Sequence, residues 1–304
     1  MEIYKLKPAF KDYIWGGERL PLRYGKETEL RPVAESWELS LHKDGMTCTE
    51  AGIPLSEIVD EKILGTACGA FPFFPILVKF IDARENLSVQ VHPDDAYALA
   101  HENSYGKTEA WYITEAEEGA GIYLGFSREV TREEVEEAIR EERLCDLLNF
   151  YPVKAGECYF IPAGTVHAIG AGCLICEIQQ NSNLTYRVYD YGRRDAKGQT
   201  RELHVDRALR VMNFGKYEKT EGASGDLLAS CDYFTARRLT VEGRGEITVD
   251  ERSFCSLICV DGEGRIGDRV AKRGDSFLIP AGYGVLSLEG TMTLIRTEIP
   301  EEKA

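Results

Sequence analysis

"GECYFIPAGTVH", residues 156–167, places a short run of apolar and aromatic residues between a glycine and a proline. Glycine and proline mark turns, so the pattern predicts a strand that ends near Pro162 and a turn that leads to His167. Residues 274–285, "GDSFLIPAGYGV", repeat the pattern of Gly, five residues and Pro-x-Gly, with an acid after the first Gly and an aromatic two positions further on. The repeat predicts two related β-units, and only the first has a histidine at its end, because Val285 takes that position in the second.

Strand-like segments separated by glycine and proline occupy most of the chain, for example "FPILVKFIDA" and "GCLICEIQQ". We therefore expect a mainly β fold with a few helices. Helical patterns occur at residues 131–150, where Thr131 is the expected N-cap and Glu134 its capping-box partner, and at residues 200–214. The polar segment 215–225, "GKYEKTEGASG", resembles a linker, which predicts a larger domain over residues 1–215 and a smaller one over 216–304.

The composition argues against several classes of partner. A net charge of −15 over 304 residues would repel nucleic acid. No apolar run approaches the roughly 18 residues that span a membrane, and "MEIYKLKPAF" lacks the layout of a signal peptide, so we expect a cytoplasmic protein.

The nine cysteines are scattered along the sequence. Cys173 and Cys176 are three apart in a strand-like run and should face opposite sides, so we expect reduced thiols and no shared ion.

The stretch "LSVQVHPDD", residues 87–95, places two polar side chains in an apolar run. Side chains alternate along a strand, so Gln90 and His92 should point the same way. The stretch fits a solvated strand edge or half of a metal site, and it does not decide between them. "GKTEAWYI" adds Glu109 at the head of another strand. Two imidazoles, a carboxylate and an amide oxygen would suit a borderline cation such as zinc. The other histidines have no such neighbours in the sequence and are assigned no role; they are His42, His101 and His204.

The segment from Gly156 to His167 matches the second half of the cupin signature, Gly-x5-Pro-x-Gly-x2-His, and Gln90 replaces the first histidine of its first half. With "YIWGG", "ESWELS", "QVHPDD", "GKTEAWYI" and "TYRVYDYGR", the chain resembles the short bacterial type I phosphomannose isomerases over essentially its whole length. The resemblance implies two jelly-roll β-barrels and a zinc enzyme, with one Zn²⁺ per chain, that interconverts mannose 6-phosphate and fructose 6-phosphate. It also implies the metal ligands Gln90, His92, Glu109 and His167, and the catalytic arginine Arg187.

Aldose–ketose isomerisation moves a proton between neighbouring carbons, so it needs a base and stabilisation of an enediolate. Glu177 occupies the position that the family suggests for the base; the alternative is a strand carboxylate that faces solvent or a core arginine. Lys107 should point to the same side as Glu109 if the strand extends to it, and it could protonate or orient the sugar. The alternative for Lys107 is an ordinary surface lysine.

A sugar phosphate needs cations and hydrogen-bond donors. "YRVYDYGRR" provides Arg187, Arg193 and Arg194, a basic cluster in an acidic chain, and arginine binds phosphate through two donors at once. Ser88 should face the same side as Gln90, and it matches a phosphate contact of the family. These residues are the expected phosphate site.

Two other functions remain open at this point. Two histidines and one carboxylate on a jelly roll also form the facial triad of non-haem iron oxygenases, and a non-catalytic sugar-phosphate binding protein could have the same fold. Without a histidine at position 285 or a second "QVH" pair, the smaller unit should lack a metal site. We expect it to be a structural unit that covers the first and buries Phe277, Leu278 and Ile279.

Overall fold

The structure is a computed structural model that describes residues 1–194, 198–219 and 225–300. Its strands are β1 (Tyr4–Lys7), β2 (Ala9–Lys11), β3 (Glu35–Leu39), β4 (Cys48–Thr49), β5 (Ile76–Asp82), β6 (Val89–Val91), β7 (Glu109–Ala116), β8 (Gly121–Phe126), β9 (Leu148–Pro152), β10 (Cys158–Ile161), β11 (His167–Ile169), β12 (Cys173–Gln180), β13 (Tyr186–Tyr189), β14 (Leu227–Ser230), β15 (Thr235–Val249), β16 (Cys255–Ile266), β17 (Arg269–Lys272), β18 (Ser276–Ile279) and β19 (Gly284–Glu298). The α-helices are α1 (Arg19–Arg23), α2 (Glu61–Leu64), α3 (Asp95–His101), α4 (Arg132–Arg140) and α5 (Val205–Val211), and three 3₁₀ turns cover Leu55–Glu57, Thr66–Ala70 and Leu144–Leu147.

The first unit is a jelly-roll sandwich of two antiparallel sheets. A six-stranded sheet has the order β10-β7-β12-β5-β3-β2, and a five-stranded sheet has the order β13-β6-β11-β8-β9. Side chains from both sheets form one apolar core, which includes Trp111 and Ile175 from the first sheet and Ile122 and Leu124 from the second. Sheets pack this way because alternate residues of each strand face inward. The mainly β fold that the sequence predicts is confirmed.

The second unit is built on an eight-stranded sheet with the order β14-β15-β19-β16-β18-β1-β4, and β17 pairs with β16. Its inner core contains side chains such as Leu257, Phe277 and Leu294. Strand β1 comes from the start of the chain and pairs with β18. The N-terminal segment is therefore part of the sheet of the second unit, and this pairing crosses the predicted boundary at residues 215/216, which stays a prediction.

The two units share a further apolar core on the outer face of the six-stranded sheet. Val78 and Cys176 from that sheet belong to the same cluster as Ile258 and Leu278 from the second unit. The expected burial of the "FLI" stretch is confirmed, since Phe277, Leu278 and Ile279 each have 0% exposure. Phe277 and Ile279 face the inner core of the second unit, and Leu278 faces the first unit. This alternation lets one strand stabilise both cores.

The two copies of the sequence repeat have matching local structure. Gly156 and Gly274 adopt φ values of 91° and 93°, in the left-handed region that favours glycine. Each precedes a strand, β10 or β18, which ends before the Pro-x-Gly turn. The last position of the repeat differs between the copies, because His167 is fully buried and Val285 is 63% exposed. The second copy therefore keeps the turns of the motif without its inward-facing histidine.

The cysteines behave as expected. Cys173 lies in the core of the first unit, and Cys176 lies in the core between the units. The two thiols are thus on opposite faces of β12, as strand alternation predicts. All nine cysteines are free.

Both predicted helices exist, but the sequence pattern made them too long. The first begins at the Thr131 cap, with the expected capping box to Glu134, and ends at Arg140. Glu142 then has a φ of 57°, which breaks the helix, and the chain continues as a 3₁₀ turn and β9. The second helix begins only at Val205, because residues 200–204 run beside the edge strand β13. None of the described helices combines the length and the apolar composition that crossing a bilayer requires.

Candidate metal centre and active site

Three neighbouring strands of the five-stranded sheet carry the centre of the site. Gln90 on β6 lies directly opposite His167 on β11 and directly opposite Arg187 on β13. Glu109, the first residue of β7, faces them from the six-stranded sheet. The site therefore lies between the two sheets of the first unit, on backbone that the strand pairing holds in register.

His92, Glu109 and His167 form a compact group in which the possible ligand atoms all lie within 4.8 Å of one another. His167 Nε2 is 3.3 Å from Glu109 Oε1, and His92 Nε2 is 3.8 Å from Glu109 Oε2. All three side chains are buried, with exposures of 1% or less. Among the residues that the structure describes, this is the one such group of at least three His, Cys, Asp or Glu side chains.

Each histidine is oriented by a backbone carbonyl. The distance from His92 Nδ1 to Leu184 O is 2.8 Å, and the distance from His167 Nδ1 to Thr165 O is also 2.8 Å. A carbonyl oxygen only accepts, so each Nδ1 donates and each Nε2 keeps an unprotonated lone pair in the neighbourhood of Glu109. Burial, with the nearby Lys107 charge, lowers the pKa of His167 to about 3 and that of His92 well below its usual value. Both imidazoles are thus neutral at physiological pH, as metal ligands must be.

The Glu109 carboxylate also fits a cation. Both of its oxygens are buried and accept no well-formed hydrogen bond, although the Lys107 ammonium is in contact with one of them. Burial and then the Glu177 charge raise the pKa of Glu109 to about 7, against the opposing effect of Lys107. A buried carboxylate with spare acceptor capacity beside two neutral imidazoles is a donor set suited to a divalent cation.

Gln90 completes the group from the cavity side. Its side-chain nitrogen is placed 3.3 Å from His167 Nε2, and the residue is half-buried and lines the cavity. Because the amide can present its oxygen or its nitrogen, the same position can supply a neutral oxygen ligand. The structure therefore brings Gln90, His92, Glu109 and His167 together, as the "QVH" spacing and the repeat motif led us to expect.

Lys107 and Glu177 lie next to this group. Lys107 Nζ is 3.1 Å from His92 Nε2 and 3.5 Å from Glu177 Oε1. Lys107 is 4% exposed and Glu177 is 2% exposed, so neither a surface lysine nor a solvent-facing carboxylate describes them. The Trp111 indole donates to Glu177 over 2.8 Å. Burial would raise the pKa of Glu177, but Lys107 and Lys79 outweigh it and hold the pKa at about 2.

Gln90, Lys107 and Glu177 line an open cavity of about 230 Å³. Its lining comprises Tyr13, Trp15, Glu35, Lys79, Ile81, Leu87, Ser88, Gln90, Lys107, Ile169, Glu177, Asn183, Thr185, Arg187 and Arg201. Four cations and two carboxylates (Glu35 and Glu177) line it, an excess of positive charge in a chain whose net charge is −15. The cavity is therefore suited to an anion.

The three arginines of the predicted basic cluster do not lie together in the structure. Arg187 lines the cavity, but Arg193 and Arg194 are not among the lining residues. Arg193 donates to Asp190 and to the Asn86 carbonyl, and the exposed Arg194 donates to the Gly198 carbonyl over 2.8 Å. The chain turns after Tyr189, and this separates the three arginines that are close in sequence.

Arg201 takes the place that the sequence suggested for Arg193 and Arg194. It lines the cavity, and its guanidinium donates to both Asp190 oxygens, over 2.8 and 2.5 Å. Asp190 binds Arg193 as well, so one carboxylate orients both arginines. No local pattern in the sequence pointed to Arg201, because its position depends on how the segment before α5 bonds to β13 through Glu202 and His204.

Lys79 is a second residue that sequence reasoning missed. It lies between Glu177, at 3.1 Å, and Glu35, at 3.4 Å, and it is 5% exposed. Burial lowers its pKa, but Glu177 and Glu35 outweigh burial and raise it above the usual value. A lysine inside the apolar run "ILVKFID" was the available signal, since lysine is almost never fully buried without a partner.

Comparison with known proteins identifies the family of the chain. Residues 3–120 match the catalytic domain of type I phosphomannose isomerases, and residues 225–299 match the cupin domain of mannose-6-phosphate isomerases. The chain is 37% identical to the mannose-6-phosphate isomerase ManA of Bacillus subtilis, over 93% of this chain and 95% of that protein. It is 35% identical to the mannose-6-phosphate isomerase of Streptococcus mutans, over 95% of both.

Solved structures give the same result. The mannose 6-phosphate isomerase of Bacillus subtilis superimposes with a TM-score of 0.87 at 31% identity, covering 98% of this chain and 99% of that one. A putative mannosephosphate isomerase from Archaeoglobus fulgidus gives a TM-score of 0.81 at 26% identity, covering 97% of this chain and 96% of that one. The chain therefore belongs to the type I phosphomannose isomerase family and is an enzyme of the mannose-6-phosphate isomerase class.

Proposed function

We propose that this isomerase is zinc-dependent and interconverts D-mannose 6-phosphate and D-fructose 6-phosphate through an enediolate. The observation that supports this most directly is the convergence of two oriented neutral imidazoles and a buried carboxylate beside Gln90 and Lys107, which line a cationic cavity. A sugar phosphate offers the two features that such a cavity can bind, oxygens for the metal group and a phosphate for the positively charged wall.

We assign the metal ligands to Gln90, His92, Glu109 and His167. Nitrogen and oxygen donors in a group of this size suit zinc, and one group supports one ion per chain. A bound zinc ion would act as a Lewis acid that stabilises negative charge on the sugar oxygens. The chain itself provides the orientation, because the Leu184 and Thr165 carbonyls fix both imidazole rings before any ion binds.

Proton transfer is assigned to Lys107 and Glu177. Both line the cavity, and their charged atoms are 3.5 Å apart, close enough to exchange a proton after a small movement. Glu177 Oε1 is buried with the Lys79 ammonium 3.1 Å away, and it accepts no well-formed hydrogen bond from the residues that the structure describes, so a lone pair is available to a substrate proton. Lys107 would hold or protonate the sugar oxygen next to the reacting carbon.

Arg187 is assigned to the substrate. Its side chain lines the cavity on the strand next to Gln90, and its Nε is buried with no hydrogen-bond partner among the described residues. A guanidinium with free donors can bind the oxygens on which negative charge develops, and such donors lower the barrier when they are already in place. Arg187 therefore acts on the substrate and not on the metal.

For the phosphate, we propose Ser88 and Arg201, which line the same cavity as Gln90 and Lys107. Arg193 would contribute indirectly, because it and Arg201 share Asp190. Of the arginines that the sequence suggested for the phosphate, Arg194 has the least support, because it donates to the Gly198 carbonyl.

A coupled assay tests this function. Mannose 6-phosphate is supplied, and fructose 6-phosphate formation is followed before and after chelation and again after addition of zinc. Zinc-restored formation of fructose 6-phosphate would support the proposal, and undiminished activity in a demonstrably metal-free sample would contradict it.

A further inference from the structure

His204 is the partner of Arg187 on the open edge of the five-stranded sheet. Strand β13 is the edge strand of that sheet, and Arg187 lies opposite Gln90 on its inner side. On its outer side, the Arg187 N–H donates to His204 Nδ1 over 3.2 Å, and the His204 N–H donates to the Arg187 carbonyl over 2.7 Å. One residue thus satisfies both backbone groups of Arg187.

The same segment also holds the Arg187 side chain. Arg187 Nη1 donates to the Glu202 carbonyl over 2.8 Å, two residues before His204. The pairing of β13 with β6 shifts register between Arg187 and Tyr189, so regular ladder geometry is interrupted next to Arg187. The contacts from residues 202–204 therefore supply the constraint that the strand ladder does not provide there.

The imidazole of His204 does not cap the helix that begins after it. His204 occupies the N-cap position of α5, yet its side chain makes no capping hydrogen bond. To accept from Arg187, Nδ1 must be unprotonated. Burial, and then Arg187, lower the pKa of His204, and Arg207 acts in the same direction, against the opposing effects of Glu202 and Glu102. The ring is thus in the state that the contact requires.

We propose that His204 is a positioning residue for the isomerase reaction: its Nδ1 and its backbone N–H clamp Arg187, and the adjacent Glu202 carbonyl directs the guanidinium into the cavity. The assignment rests on the proposed role of Arg187. His204 itself does not touch the substrate, since it is not among the residues that line the cavity.

The test compares side chains that do or do not restore the acceptor. His204→Ala should lower kcat about tenfold, the effect of losing one hydrogen bond that orders a reacting group, and leave KM and zinc content near the wild-type values. His204→Asn should recover most of that loss, because its Oδ1 lies near the position of Nδ1. His204→Gln should not, because its amide extends past that position. His101→Ala is the control for loss of an exposed histidine, and the melting temperature of every variant is recorded.

A double-mutant cycle separates this proposal from the function on which it rests. In an Arg187→Ala background, His204→Ala should cause no further loss of kcat, because it acts through Arg187. An equal loss in both backgrounds, a normal kcat for His204→Ala, or equal activity of the Asn and Gln variants would overturn the positioning role. A normal kcat for Arg187→Ala would instead overturn the role of Arg187, and the positioning role with it.

Discussion

Gln90 and His167 are directly opposed on neighbouring strands, and the Gln90 amide nitrogen lies 3.3 Å from His167 Nε2. The two residues come from sequence motifs 77 positions apart, and strand pairing alone brings them together. Since the backbone of both residues is paired, strand register sets the position of these two side chains relative to each other.

Replacing His167 should therefore remove the metal without unfolding the first unit. His167→Ala is expected to lose bound zinc and nearly all turnover, because one of two neutral nitrogen donors is gone. Metal content per chain and circular dichroism measure the two effects. His42→Ala, which changes a histidine outside the group, is the matched control. Stoichiometric zinc in the His167→Ala protein would show that the ion binds elsewhere.

Arg187→Ala should lower turnover without removing the metal. It is expected to lower kcat by orders of magnitude and to leave zinc content unchanged, because the guanidinium faces the substrate. Steady-state kinetics and metal analysis on the same preparation decide the matter. Near-normal kcat combined with poor metal binding would mean that the arginine supports the metal group instead.

The phosphate proposal distinguishes two arginines that are seven positions apart. Arg201→Ala should raise KM for mannose 6-phosphate substantially more than Arg194→Ala, because Arg201 lines the cavity and Arg194 is exposed. The inhibition constant of inorganic phosphate should follow the same order. A larger effect at Arg194 would restore the assignment that the sequence suggested.

Asp190 gives a pH-dependent prediction. Burial raises its pKa, but Arg201 and Arg193 outweigh burial and hold it below the usual 3.8. A carboxylate with a depressed folded-state pKa stabilises the fold above its unfolded-state pKa and loses that contribution as pH falls through the folded-state value. Asp190→Asn should thus lower stability at pH 7 by about 2 kcal/mol, as expected for lost charged hydrogen bonds.

The measurement is the difference in unfolding free energy between wild type and Asp190→Asn from pH 7 downward, with zinc content monitored. The difference should stay constant to about pH 5 and shrink only below the model-peptide range of aspartate. A difference that is already lost at pH 6 would contradict the ion-pair interpretation.

Leu278 tests the contact between the two units. It is fully buried in the shared core, so Leu278→Ala should destabilise the protein by about 3 kcal/mol while leaving the metal group intact. Val270→Ala, at a position that is 63% exposed, should change stability little. Equal melting temperatures for the two variants would show that the shared core contributes less than its burial suggests.

A chain ending near residue 219 should be poorly soluble, because it would expose the outer face of the six-stranded sheet.

The sequence was sufficient for the parts of the site that lie in short motifs. Gln90, His92, Glu109 and His167 could be singled out because they stand in short local motifs to which the family resemblance assigns the metal ligands, and the structure brings these side chains together. Lys79 was missed because its role depends on Glu177, which is far away in sequence. Arg201 was missed because its position depends on how the segment before α5 bonds to β13.

The same reason explains the other differences. His204 had no neighbours of interest in sequence, and its contact with Arg187 exists only because residues 202–204 lie along the edge of β13. The helix after Thr131 ended early because apolar residues such as Leu144 and Leu148 pack into the core beside α4 rather than continuing its helical face. Tertiary packing, and not local helix propensity, determined the position of His204 and the end of α4. The family assignment decides against the oxygenase and the non-catalytic binding protein.

The most direct test of the account is a zinc titration of the metal-free enzyme, with fructose 6-phosphate formation and bound zinc measured on the same samples. Turnover should rise linearly with zinc and stop rising at about one ion per chain, the number expected for a single complete ligand set. Full turnover without added metal, or a requirement for two tightly bound ions per chain, would contradict it.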